Sequence, residues 1–90
     1  MGLLDISVAV GEHGPVLLLS GEADITTAAE LSGALAAQLA TGTPHLTVDL
    51  SGLQFADSAV VRELVLADRT LKDRGGGLEL VHPSRWWPGR

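Results

Sequence analysis

A small α/β domain on a mixed four-stranded sheet is what this 90-residue chain predicts. The apolar residues alternate with period two at Leu4, Ile6, Val8 and Val10, and a second apolar run follows after Gly and Pro, which is the pattern of a hairpin. Two stretches of helical period come next, each followed by a short apolar strand. The order strand, strand, helix, strand, helix, strand gives one antiparallel pair and two crossovers. Right-handed crossovers put both helices on one face and leave the other with little cover.

The first strand alternates with Asp5, Ser7 and Ala9, as a half-exposed edge would. Gly11-Glu12-His13-Gly14-Pro15 breaks the pattern, and the continuous apolar run at 16–19 that opens the second strand, 16–22, predicts an internal strand covered on both faces. Thr27-Ala28-Ala29-Glu30 fits a capping box and starts the first helix. Leu31, Leu35 and Leu39, with Ala28 and Ala34, make its apolar face, and Gly33 inside it costs about 1 kcal/mol relative to Ala. Gly42 and Pro44 end it. A strand at 46–50 leads through Ser51-Gly52 to a second helix from about Asp57, whose stripe is Val61, Leu64, Val65 and Leu71. The run Arg74-Gly75-Gly76-Gly77 stops that helix, and the last strand, 78–81, ends at Pro83. The expected division is a domain at 1–83 and a Trp-containing tail at 84–90.

With 46% apolar and 19% charged residues and a mean hydropathy of +0.28, the composition is that of a globular domain with apolar surface to spare. Six Lys and Arg against eleven Asp and Glu give a net charge of −5, which disfavours nucleic acid and anionic membranes as partners. The absence of cysteine excludes disulfides, thiolate catalysis and thiolate-bound zinc. No basic-then-apolar leader opens the chain, Ile6 occupies the Ser/Thr position of a myristoylation signal, and no apolar run is long enough to span a bilayer. A cytoplasmic protein is expected.

Ser58 is the main candidate for chemistry. A hydroxyl at a helix start lies where partnerless N–H groups and the positive end of the macrodipole favour an added phosphate. A Ser there can equally serve as a simple cap. No His, acid and glycine pattern surrounds Ser58 as in a hydrolase nucleophile elbow. The glycines at 75–77 follow a helix and precede a strand, the reverse of a phosphate-binding loop. His13, His45 and His82 are far apart and lack metal-site spacing. Neither an enzyme nor a cofactor is expected.

Three segments carry a family resemblance. Gly21-Glu22-Ala23-Asp24-Ile25-Thr26-Thr27-Ala28-Ala29-Glu30-Leu31, Val48-Asp49-Leu50-Ser51-Gly52-Leu53-Gln54-Phe55-Ala56-Asp57-Ser58 and Gly75-Gly76-Gly77-Leu78-Glu79-Leu80-Val81 resemble the successive landmarks of a STAS domain. The nearest branch is the bacterial anti-sigma factor antagonists. The resemblance implies a non-enzymatic protein that binds an anti-sigma factor kinase, releases a sigma factor and is switched off by phosphorylation at Ser58, with a phosphatase to restore it. It also implies a partner surface of Asp24, Asp57, Ser58, Ala59, Val60 and Arg62. Asp24 and Asp57 have structural readings too, as an acid favourable to a helix dipole and as an N-cap.

Two departures from the family stand out. Ser58 is followed by Ala59-Val60-Val61 where the family has Ser or Thr, then Gly and Leu, so a β-branched residue replaces a glycine. The family's last helix, expected after Pro83, is missing from this sequence, so the chain reads as truncated there. Trp86 and Trp87 would then form either a lid or a surface for self-association into a homo-oligomer. The alternative function is a STAS scaffold or sensor that self-associates or binds a small ligand or nucleotide.

Overall fold

The computed structural model describes residues 3–81. They form β1 (Leu4–Gly11), β2 (Gly14–Ala23), α1 (Ala28–Leu39), β3 (His45–Ala56), α2 (Ser58–Asp73) and β4 (Gly77–Val81). The strands lie in the order β1-β2-β3-β4, the first pair antiparallel and the other two parallel. The expected mixed sheet with two helices is therefore the observed one. The position of the domain end, the tail with Trp86 and Trp87 and the place of a further helix lie outside the described residues.

Both helices pack on one face of the sheet and share a single core with it. Leu17 and Leu19 of β2, Leu46, Val48, Leu50 and Leu53 of β3, Leu31 and Leu35 of α1, and Val60, Leu64, Ala67 and Leu71 of α2 are all buried there. β2 is internal as expected, but it is covered on one face only. Leu18 points to the open face and is 38% exposed. A continuous apolar run cannot distinguish burial on both faces from one exposed leucine between two buried ones. The open face carries Asp5, Ser7, Ser20, Asp49 and Ser51 around Leu18, in a shallow depression of about 250 Å³. On β1 only Leu4 and Ile6 reach the core, while Val8 and Val10 extend past it into solvent.

The hairpin is tighter than the Gly- and Pro-rich sequence predicts. Gly11 pairs with Gly14, so only Glu12 and His13 form the turn. β3 departs further, because it does not end at Leu50. It continues through Ser51 and Gly52 to Ala56, and its register against β2 shifts twice, between Leu18 and Ser20 and between Gly21 and Glu22. At each shift β3 has one more residue than β2, as in a bulge. The first extra residue resets the alternation, so Leu50 and Leu53 both face the core, and an interruption that resembles a turn in sequence is a kinked strand. Gly52 sits at this kink, where a Cβ would come 2.9 Å from the Leu19 carbonyl oxygen.

The buried stripe of α2 is Val60, Leu64, Ala67 and Leu71, at spacings of four, three and four. It is rotated from the expected one, leaving Val61 half-buried and Val65 52% exposed. The pairs 60–61 and 64–65 are both apolar, so period alone does not select between them; docking on β3 and β4 does. α2 is tied to β4 by the Asp68 carboxylate, which accepts from the Leu78 N–H at 2.9 Å and pairs with Lys72 at 2.9 Å. The bond from Leu78, then Lys72, holds the Asp68 carboxyl below its ordinary value. At the other side of the same loop Gly77 N–H donates to the Pro44 carbonyl, and that carbonyl lies directly against Gly76.

Two glycines in helical or loop context therefore have opposite value. Gly33 has open space around its Cα, so Gly33→Ala is expected to stabilise the protein by about 0.5–1 kcal/mol. A Cβ on Gly76 would fall 1.6 Å from the Pro44 carbonyl oxygen, so Gly76→Ala is expected to cost at least about 2 kcal/mol. Urea denaturation of the two variants checks both signs. The lowered Asp68 carboxyl contributes stability that is present above its unfolded value, about pH 4, and is lost as the pH falls through its folded value. Stability should thus fall less for Asp68→Asn than for the wild type between about pH 6 and about pH 3, measured by the same denaturation.

Candidate functional site

The site is built where the parallel strands β2 and β3 end side by side. Ala23 pairs with Ala56, and the ladder extends one step further through the Asp57 N–H, which donates to the Ala23 carbonyl at 3.2 Å. Asp24 and Asp57 thus leave adjacent strands at the same edge of the sheet. Crevices at the carboxyl ends of parallel strands are where α/β sheets most often present functional groups.

The loop after β2 is held by its own polar side chains. The Asp24 carboxylate accepts from the Thr26 hydroxyl, from the Thr26 N–H at 2.9 Å and from the Thr27 N–H at 3.3 Å. These donors, the Thr26 hydroxyl foremost, keep the Asp24 carboxyl below its usual value, so it is ionised at neutral pH. Thr27 is 2% exposed, and its hydroxyl accepts from the Asp24 N–H at 2.9 Å while lying 3.2 Å from both the Glu22 and Asp24 carbonyls. The expected capping box does not form, because Thr27 is the N-cap of α1 but its hydroxyl makes no cap bond. That hydroxyl is turned back into the loop, where it supplies the acceptor for the half-buried Asp24 amide.

At the start of α2 the cap and the free hydroxyl are separate residues. Asp57 is the N-cap, with φ −103° and ψ −177°, and its carboxylate accepts from the Ala59 N–H at 3.0 Å and the Val60 N–H at 3.4 Å. Ser58 is the first helical residue and is exposed. Its hydroxyl makes no hydrogen bond among the described residues. The simple capping role open to Ser58 is thus filled by its neighbour.

Of the other residues expected at this surface, Ala59 is half-buried and Arg62 is exposed. Val60 is 1% exposed and belongs to the core, so its side chain offers nothing to a partner. Its β-branched side chain faces inward, because the first turn of α2 sets position 60 on the stripe shared with Leu64 and Ala67. Ile25 was not expected here. It is 76% exposed in the loop braced by Asp24, and its one sequence signal is an apolar side chain between polar neighbours in a turn.

The fold also brings together residues that spacing kept apart. His13 and His45 both line a surface cleft of about 420 Å³ with Thr47 and Glu79. His82 is outside the described residues. Among the described residues no three His, Asp or Glu side chains are grouped to hold a metal ion. No described helix is long and apolar enough to cross a membrane.

The family profile described as "Mlab, STAS domain" matches residues 6–87. The chain belongs to the STAS domain family. An anti-sigma factor antagonist from Mycobacterium paratuberculosis is 28% identical and superposes with a TM-score of 0.82, over 91% of this chain and 69% of that one. SpoIIAA, an anti-sigma factor antagonist in its unphosphorylated form, is 22% identical with a TM-score of 0.74, over 89% of this chain and 74% of that one. The Bacillus cell fate determinant SpoIIAA in the phosphorylated form is also 22% identical, with a TM-score of 0.73 over 90% and 75% of the two chains. At these identities SpoIIAA shares the fold. No curated protein sequence matches the chain.

The division between cap and hydroxyl in this STAS domain has a measurable consequence. Asp57→Ala is expected to lower the unfolding free energy by about 0.5–2 kcal/mol, as loss of an N-cap does. Ser58→Ala should stay within about 0.5 kcal/mol of the wild type, as an exposed substitution does. Urea denaturation of both variants decides, and the opposite ranking would make Ser58 the cap.

Proposed function

We propose that this STAS protein is an anti-sigma factor antagonist that binds an anti-sigma factor kinase and is switched off by phosphorylation of Ser58. The observation that carries this reading is the uncommitted Ser58 hydroxyl, exposed at the first helical position while Asp57 does the capping. The Mycobacterium paratuberculosis antagonist supports the class, and SpoIIAA, of the same fold, exists in phosphorylated and unphosphorylated forms. In the transfer, the Ser58 Oγ attacks the γ-phosphorus of ATP, the bond to ADP breaks, and the hydroxyl proton passes to a base of the kinase. The phosphate adds about −1.5 to −2 charges to a surface that already carries Asp24 and Asp57. A partner patch fitted to the unmodified surface is then repelled.

The docking surface is Asp24, Asp57, Ser58, Ala59 and Arg62, with Ile25 as its apolar contact. A braced loop presents Ile25 at little conformational cost, and a rigidly held apolar side chain is what a partner pocket takes up most favourably. A phosphatase that removes the group would restore binding, and the chemistry on both sides belongs to the partners.

A second reading rests on the family profile, whose description names Mlab rather than an antagonist. In it the same surface holds a partner constitutively, with Ser58 unmodified, in a scaffold or sensor module. The two readings separate by intact-mass spectrometry of the full chain incubated with its cognate anti-sigma kinase and ATP. A single added phosphate on the wild type and none on Ser58→Ala is expected. An unmodified wild type would overturn the switch and leave the scaffold.

A further inference from the structure

The charges of this protein are unevenly placed. Of the six Lys and Arg, four fall between positions 62 and 74, on α2 and its C-cap, and the other two, Arg85 and Arg90, lie outside the described residues. Eight of the eleven acids are outside α2: Asp5, Glu12, Glu22, Asp24, Glu30, Asp49, Asp57 and Glu79. A phosphate at Ser58 would therefore enter an acidic neighbourhood, with Asp57 preceding it and Asp24 at the end of the adjacent strand.

The helix N-terminus offers that phosphate little. The Ala59 and Val60 amides are taken by the Asp57 carboxylate, and the Val61 N–H donates to the Asp57 carbonyl at 3.2 Å. Besides the Ser58 N–H, the remaining partner would be a side chain on the same helix face. Positions 58 and 62 are four apart within α2, which places their Cβ atoms about 5–6 Å from each other. Arg62 is exposed and makes no ion pair among the described residues.

The other cations of α2 are engaged or remote. Lys72 is bound to Asp68, and Arg74 donates to the Leu39 and Thr43 carbonyls at 2.8 and 3.2 Å, at the far end of the helix. Arg69 lies eleven residues beyond Ser58, about 16 Å along the axis. Glu63, the acid adjacent to Arg62, lines the groove between α1 and α2 with Ser32 and Leu66 and makes no ion pair with Arg62 among the described residues.

We propose that Arg62 is the intramolecular counter-ion of a phosphate on Ser58. In the unmodified protein the guanidinium stands free on the docking surface, available to an acidic group of the partner. Phosphorylation draws it into a charge-assisted pair one turn back along α2, with the fork of donors matched to phosphate oxygens. The modification then acts twice, adding negative charge and withdrawing the surface's positive group. The pair rests on the phosphoswitch reading for its biological use, but not for its chemistry.

The test installs phosphoserine at position 58 of the full chain during synthesis and follows its second ionisation by 31P NMR. The wild type should titrate a few tenths of a pKa unit lower than Arg62→Gln, because a nearby cation favours the dianion. Arg62→Lys should fall between them, Arg69→Gln should coincide with the wild type, and about 1 M salt should shrink the difference. Coincident curves for the wild type and Arg62→Gln would overturn the pair. So would a change in Arg69→Gln as large as that in Arg62→Gln, since it would reflect the general field of the helix. Failure of the kinase to modify Ser58 would leave this titration unaffected, so the two proposals fail separately.

Discussion

The parallel ladder between β2 and β3 is the constraint on which the rest depends. It sets Leu17 against Val48 and brings Gly21 beside Leu53 and Ala23 beside Ala56. Those rows form the floor on which α1 and α2 pack. The two extra residues in β3 are absorbed without loss of the core face, so Leu46, Val48, Leu50 and Leu53 all stay inward on either side of the first bulge. The same ladder ends at Ala23 and Ala56, and this common end makes neighbours of Asp24 and Asp57. Core and candidate site are two consequences of one register.

At that end the chain solves two helix starts differently. α2 has an aspartate as N-cap, whose extended backbone lets its carboxylate reach back to the second and third helical amides. α1 has a threonine in the corresponding place, yet that hydroxyl is used in the preceding loop. The buried Thr27 hydroxyl accepts from the Asp24 N–H, whereas the first amides of α1 can be left to water. As a result the Asp24 carboxylate is braced by Thr26 and Thr27, and Ile25 is held outward at a fixed place. Rigidity of the loop and freedom of the Ser58 hydroxyl have the same origin, since in each case a neighbouring residue satisfies the local backbone.

The role of Val60 is packing. The side chain fills the core beneath the first turn of α2, alongside Leu64, and leaves Ser58 and Arg62 on the outer face. On the proposed reading, a surface that presents the Ser58 hydroxyl, the Arg62 guanidinium, the Ile25 side chain and two half-buried carboxylates would suit a partner with complementary charge and a small apolar pocket. Charge also explains why modification would matter here, since the sheet and α1 carry no Lys or Arg of their own.

Much of this protein is legible in one dimension. Element order, the internal place of β2, the start of both helices and the position of Ser58 follow from apolar period, Gly and Pro punctuation and the Asp-Ser step, because these are local properties of a chain. Ser51-Gly52 was misleading for the same reason: a bulge and a turn look alike until a neighbouring strand supplies the register. The stripe of α2 needed the sheet to choose between Val60 and Val61, since either satisfies a helical period. Which oxygen caps which amide depended on burial, and sequence holds no direct record of that. Sequence alone therefore determined the order and type of the elements and the location of the exposed hydroxyl. Only the tertiary structure decided that Val60 is core, that Thr27 serves the loop, and that Asp24 and Asp57 share one edge, because each is set by packing between segments far apart in the chain.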